Sequence, residues 1–559
     1  MAEERIIQGP RQTTETYRTE TMWIPTSGFT WGPGTTFAPP ESIVSGQNVW
    51  VLDDILQPRY KVSNSSFSGK VVANASNVTN QGLSSLTSVV LGAFLYNDAV
   101  GYGYPVVGTN KNFFIGMAAG DAGTSSKFSF SQLSYVSSTG SSISPSIGAL
   151  GANDNWFGTN VFSASRGSSL GVWVGDDLTY TYSQPGLVYS LLTGAPGAKD
   201  AVTYDNRAIL WNTRTIADPI GVPIRVQWHV AGEPEDWTGI GSGFEDLVDA
   251  VGAGTRAFVQ NDTAYFATER EIWRGRKVGP PYWFQFTPVT RSVGVPFPRA
   301  GLSTPAGFVW LGADYMVRLM VGETIQEIGV GFQDLLQQTI ATPQTAFFTF
   351  NLDLNQLRLF YSTARADALS SVGLNQFPQA SITLDMRTGR WFRDVYSHWF
   401  HRGYSDDANL SNLSEVGGVG GYKLNTTELL FTSAATGGQF GEFSGEDMNS
   451  STVTEEAVFG PLHTSDPRHL KTLREVRIDH GYVGSPAFQL SVSANGGSSY
   501  SETKTIVPTS NVSIPQQSLA TFDTTARYHT LRVTHFPGNQ GRWRIARLFT
   551  EAESRSRER

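Results

Sequence analysis

Cysteine is absent from all 559 residues. That excludes a disulfide framework, a thiolate metal site and thiol catalysis together. Charge is also sparse: 16% of residues are Asp, Glu, Lys or Arg, and they sum to a net charge of -8. No long basic run occurs outside the closing RSRER. Proteins that grip nucleic acid neutralise phosphates with a surplus of Lys and Arg, which this chain does not have. A stretch of about 18 consecutive apolar residues is missing too, so no membrane span is expected. The opening MAEERIIQGP has no apolar core of the kind that defines a signal peptide.

The chain is instead rich in turn-forming and strand-forming residues, with Gly 58 and 12% aromatics. A helical protein would carry more Ala, Glu, Lys and Leu, so the expected class is all-β. A hydrophobic content of 40% is enough for packed cores, and the length implies two or three domains. The strongest regularity is a recurring hairpin in which two alternating apolar strands flank a polar turn. AVTYDNRAILWN turns at Asp205-Asn206 and RAFVQNDTAYFAT at Asn261-Asp262. GFVWLGADYMVRLM turns at Ala313-Asp314, with further turns near Leu354, Thr388 and Gly437. Asn and Asp tolerate left-handed backbone angles and bond their own backbone, which suits such turns. Successive markers lie roughly 35 to 55 residues apart, about one four-stranded propeller blade. Sandwich turns recur every 8–12 residues or so without that longer interval, so a β-propeller is favoured.

Four segments are expected: an N-terminal arm (residues 1–44), a propeller (45–455), a C-terminal β-sandwich (456–550) and a flexible tail (551–559). Residues 62–150 are dense in Ser, Asn, Gly and Thr and read as long loop insertions on early blades. In the C-terminal part, LREVRIDHGY, FQLSVSANGGSSY and HTLRVTHFP alternate as strands, and Asn495-Gly496-Gly497 is a hairpin turn. FEDLVDAV and GFQDLLQQT are the short helix candidates.

Signals for chemistry are weak. Glu233, Glu235 and Asp236 crowd together in GEPEDW, and paired carboxylates serve glycoside hydrolysis. Neighbours on a proline-containing loop rarely face one substrate, so a shaped turn with Trp228 and Trp237 packed beneath it is the stronger reading. Arg225 is expected to pair with a carboxylate such as Asp236. His398 and His401 have a helical metal-binding spacing but sit in a strand-like stretch. Asn153 to Asn155 and Asp176-Asp177 lack the dense acidic loop of a calcium site. No P-loop, Gly-x-Ser-x-Gly elbow or His-Glu-x-x-His occurs. No catalytic residue, cofactor or metal is therefore assigned.

Three segments carry a family resemblance. One is GLVYSLLTGAPGAKDAVTYDNRAILWN, where Gly194 to Pro196 lead into strand, turn and strand. The second is IRVQWHVAGEPEDWTG, with Arg225, Trp228, Gly232, Pro234, Asp236 and Trp237, continuing to Gly275. The third is SVSANGGSSY in the C-terminal domain. In this order they resemble the tail nozzle (hub, DNA-stabilisation) proteins of short-tailed bacteriophages, over about Trp50 to Phe549. The Asp-Gly turns of that family stand here as Ala313-Asp314 and Asn495-Gly496, and the Ser-rich insertion has no counterpart.

The resemblance implies a propeller with an added sandwich, assembled as a homohexameric ring at the distal end of the tail. Such a ring would attach to the tail adaptor ring, retain packaged DNA and open for ejection, with tail fibres or a tail needle docking on it. Its place would be the virion tail, after assembly in the host cytoplasm. Six copies would carry 6 × -8 = -48 formal charges, compatible with a lumen through which genomic DNA passes unbound. Ring closure needs two different complementary patches per subunit. Trp23, Trp31, Trp156 and Tyr182 are the candidate interface aromatics. The alternative reading is a carbohydrate- or receptor-binding propeller of the tail tip.

Overall fold

A computed structural model describes the chain except residues 1–16, 24–41, 53, 59–60, 64–89, 98–102, 110–112, 119–127, 137–141, 144–155, 166, 176–177, 184–187, 193, 216–217, 353, 364–376, 397–398, 406–427, 435–436, 445–454, 463–469, 485–486, 508–515, 537–540 and 556–559. It falls into two compact units. One comprises residues 1–61, 390–394 and 445–559, the other residues 62–389 and 395–444.

The second unit is built from seven small, mainly antiparallel sheets among the described residues. Their first strands are Val90–Asn97, Phe157–Ser163, Gly197–Tyr204, Gly254–Gln260, Gly301–Thr304, Phe347–Asn351 and Trp399–Ser405. Each first strand touches the next, and the seventh touches the first again. That closed circle of sheets is a β-propeller. Blades three, four and five each run through four consecutive strands, as blade three does through Gly197–Tyr204, Arg207–Thr215, Asp218–Trp228 and Gly243–Asp246. Blade two carries an additional ribbon, Ser134–Val136 with Ser142–Ile143. Blade seven takes its fourth strand, Lys61–Ser63, from ahead of blade one, so sequence-distant segments share one ladder and fasten the circle.

Where inner strands converge, glycine is required by space. A Cβ on Gly92 would lie 1.9 Å from the Trp156 carbonyl oxygen, and one on Gly254 2.4 Å from the Trp211 ring. Interiors at crystal-like packing density have no room for either.

The first unit is a β-sandwich. One sheet orders Val49–Leu52, Ile55–Pro58, Gly541–Arg555, Leu470–Gly484 and Gln516–Ala526, with Tyr17–Trp23 also paired to Gly541–Arg555. The other orders Ile43–Gln47, Glu456–Phe459, Thr530–His535, Phe488–Ser493 and Glu502–Ile506. Val476, Ile478, Trp543, Ile545 and Leu548 of the first sheet are fully buried, as are Phe488, Leu490, Val492, Leu531 and Val533 of the second.

The all-β propeller with a sandwich is thus the architecture, but its boundaries move. The sandwich recruits the strands Tyr17–Trp23, Ile43–Gln47, Val49–Leu52 and Ile55–Pro58, so these strands are neither a separate arm nor the start of the propeller. It also runs through Arg555, so residues 551–555 are strand and not tail. The Ser-rich stretch 62–150 contains the regular blade Val90–Asn97, Gly103–Thr109, Phe113–Ala118 and Phe128–Gln132, where an insertion was expected. Of the two helix candidates, GFQDLLQQT supplies the helix Gln333–Thr339. FEDLVDAV instead begins with the strand Gly243–Asp246. Among the described residues no helix is long and apolar enough to cross a membrane.

Candidate functional site

The segment that carries the resemblance forms the third strand of blade three and the turn after it. Antiparallel register sets Arg225 opposite Asp246. The guanidinium makes a two-pronged contact to that carboxylate, Nε to Oδ1 at 2.6 Å and Nη2 to Oδ2 at 2.8 Å. It also covers the Phe244 ring at 4.2 Å. The hydrogen bonding from Arg225 holds the Asp246 carboxyl below its usual range. The expected partner, Asp236, lies past the strand end, where it accepts the backbone N–H of Thr238 and of Gly239 at 3.1 and 2.7 Å. Cross-strand position, not closeness in sequence, selected the pair.

The turn is knitted into its neighbours. Gly232, at φ 76°, donates its N–H to the Asn206 carbonyl at 3.1 Å and accepts from the Ala164 N–H at 2.7 Å. Trp237 donates from Nε1 to the Pro234 carbonyl at 3.0 Å and is buried against Phe157, Val172 and Leu210, where blades two and three meet. Trp228 is buried with Trp211, Phe266 and Phe284, where blades three and four meet. The two tryptophans therefore wedge opposite flanks of one blade. His229 is fully buried between them in sequence; its Nε2 accepts the Ala208 N–H at 2.7 Å, and Nδ1 lies 2.5 Å from the Val230 carbonyl. Burial pushes its pKa down to about 4.

A charged tie crosses the inner strands. Asp200 of blade three, fully buried, accepts from Arg256 Nη1 at 2.9 Å and from the Ala257 and Ala201 N–H groups at 2.6 and 2.8 Å. Arg256 of blade four also covers the Phe157 ring of blade two at 4.2 Å. Burial pushes the Asp200 carboxyl up, against the pull of Arg256 and the two amides. One ion pair thus binds three consecutive blades. Nothing in the sequence announced it, because its members lie on different hairpins.

The interface aromatics fare differently. Trp156 is 4% exposed and packs edge-on to Phe113 at 4.9 Å between ring centres, so it is a core residue and presents no surface patch. Its burial follows from the glycines beside it, since Gly92, Gly108 and Gly175 leave the space its ring and backbone occupy. Trp23 and Tyr182 lie on strands, not loops, at Tyr17–Trp23 and Leu178–Ser183. Trp31, His398, residues 153–155 and residues 176–177 lie outside the described residues; His401 is on the strand Trp399–Ser405. Among the described residues no group of three His, Asp or Glu side chains is placed to hold a metal ion.

An open groove of about 600 Å³ lies along the edge of blades three and four. Trp273, Phe284 and Phe286 line it together with Val248, Val278 and Tyr282. Val248 and Tyr282 are each 78% exposed, and Ile240, Phe244, Val251 and Val278 nearby in the chain are exposed as well. Among the described residues, six of the 14 exposed large apolar side chains fall between residues 240 and 282, and Val248, Val278 and Tyr282 of these line the groove. Glu245 and Asp249 also line the groove; both are exposed, and neither has an ion-pair partner among the described residues. Asp246 beside them is already neutralised by Arg225. Sequence reasoning missed this surface because Phe244, Leu247, Val248 and Val251 follow a helical spacing whose apolar face would have been buried.

No protein-family model matches the chain, and no curated protein matches it. Solved structures found similar to the chain include an exo-β-1,3-galactanase from Phanerochaete chrysosporium with galactose, at 12% identity and TM-score 0.23. It covers 78% of this chain and 100% of its own. A glycoside hydrolase family 43 arabinoxylan arabinofuranohydrolase from Bacillus subtilis in complex with cellotetraose matches at 10% identity and TM-score 0.23. There the coverage is 95% and 100%. Likeness of this order carries no argument about what this chain binds or turns over.

Proposed function

We propose that the protein is a structural part of a short-tailed phage virion, the tail nozzle, and that it works without catalysis. In this reading copies of the propeller form the wall of a homohexameric channel. The ring joins the tail adaptor ring, receives fibres or a needle, and passes genomic DNA unbound. What carries the reading is how the resembling residues are used. Arg225, Asp236 and Trp237 brace the blade and its turn, Trp228 and Trp237 wedge adjoining blades, and Gly232 ties three turns together. Pro234 lends its carbonyl to Trp237. Residues spent in this way make a stiff wall, and the acidic balance of the chain disfavours adhesion to DNA. Immunogold labelling of virions with antibody to the purified chain tests it: label at the distal tail supports the nozzle, and tails lacking the polypeptide refute it.

One observation favours a second reading. Tyr282 stands exposed on a groove that also offers Glu245, Asp249 and Gln285, an aromatic ring beside polar groups that suits a sugar. A monomeric chain that binds host oligosaccharide, with loss on Tyr282→Ala, would mark a receptor-binding propeller.

A further inference from the structure

We infer that the groove on blades three and four is the seat of residues 5–11 of a second copy of this chain, an inference that rests on the multi-copy reading above. The groove offers three kinds of contact at once. Its walls are apolar, with Val248 and Tyr282 projecting into solvent. Its rim carries the exposed carboxylates of Glu245 and Asp249, which have no ion-pair partner among the described residues. The strand Gly243–Asp246 is the last of its sheet, paired only to Asp218–Trp228, so its outer backbone edge has no ladder among the described residues. An occupant that fits all three is an extended segment with apolar side chains bracketed by cations.

The chain contains such a segment. Arg5-Ile6-Ile7-Gln8-Gly9-Pro10-Arg11 sets two β-branched residues between two arginines, and Pro10 ends the stretch that could pair as a strand. Of the stretches outside the described residues, only this one brackets adjacent isoleucines with arginines. The 11 residues from Ile6 to the first sandwich strand at Tyr17 reach at most roughly 40 Å when extended. Ile6 and Ile7 cover Val248 and Tyr282, while Arg5 and Arg11 meet Glu245 and Asp249.

The test uses the full chain and a labelled RIIQGPR peptide followed by fluorescence anisotropy. The double variant Ile6→Asp/Ile7→Asp vacates the groove, so it should bind the peptide saturably, while the unaltered chain binds it at least tenfold more weakly. Adding Val248→Asp, at a position too exposed to threaten folding, should abolish that binding. Adding Glu245→Gln/Asp249→Asn should weaken it several-fold at low salt and little at high salt. No saturable binding to the vacated chain, or binding indifferent to Val248→Asp, overturns the inference. Native mass separates the two claims. A ring that survives Ile6→Asp/Ile7→Asp while the peptide fails to bind leaves the nozzle standing without this contact. A monomeric unaltered chain that competes for added peptide at its own groove sinks the exchange between copies.

Discussion

His229 should make the propeller acid-sensitive well above the carboxylate range. Its Nε2 accepts a hydrogen bond from the Ala208 N–H, so a proton added there would face another donor inside the fold. Folding lowers its pKa from 6.5 to about 4, chiefly because burial takes the ring out of water. A histidine depressed in this way contributes its full stability above pH 6.5 and loses it as pH falls toward 4, because the unfolded chain takes up the proton first. The slope is about 1.4 kcal/mol per pH unit. Between pH 7 and 5 the loss is roughly 2 kcal/mol. Carboxylates held low by arginine, such as Asp246 and Asp314, still keep their charge there. The assay is urea unfolding followed by tryptophan fluorescence at pH 7 and pH 5, on the native chain and on His229→Gln. Glutamine can accept from Ala208 and donate to Val230 without titrating, so the variant should lose about 2 kcal/mol less over that interval. His480 and His529 of the sandwich are also depressed by burial, but they contribute equally to both proteins and cancel. Identical pH slopes in the two proteins would refute the reasoning.

Three further outcomes follow from the packing. Asp200→Ala should cost the propeller about 3 to 5 kcal/mol in denaturant titrations, because Arg256 and two amides lose a buried acceptor. A loss under 1 kcal/mol would show that water replaces the carboxylate. Trp156→Ala should cost about 3 to 5 kcal/mol by leaving a core cavity, with no change in assembly mass under conditions where the chain stays folded. Dissociation of an assembly at unchanged stability would restore Trp156 as an interface residue. Gly92→Ala should yield aggregated chain on expression, since its methyl group would fall on the Trp156 carbonyl; a monodisperse product of native stability would contradict the close approach.

Local structure was readable where residues act on their own backbone. Asp205-Asn206 and Asn261-Asp262 form the expected two-residue turns, all four at φ between 48° and 54°. The blade number was not readable, because the turn markers fell in different hairpins of different blades. Leu354 and Thr388 both belong to blade six. First strands start at residues 90, 157, 197, 254, 301, 347 and 399, giving uneven spacings of 67, 40, 57, 47, 46 and 52. Pairings between sequence-distant strands were invisible for a related reason: Tyr17 lies opposite Ser554, and no local pattern encodes that. The same limit hid the Asp200–Arg256 tie. The turn at GEPEDW was legible because Pro, Gly and Asp dictate it locally, whereas the place of Trp228 and Trp237 between neighbouring blades was not. The groove was not, because Val248 and Tyr282 have meaning only once blades three and four stand side by side.

Native mass spectrometry of the purified chain, with negative-stain images of the same sample, tests most directly whether copies of this propeller enclose a passage. Six copies of 60.9 kDa give about 365 kDa, and the images should show a six-fold ring with an open centre. A 60.9 kDa particle at every concentration, or an assembly without a central opening, would contradict the account.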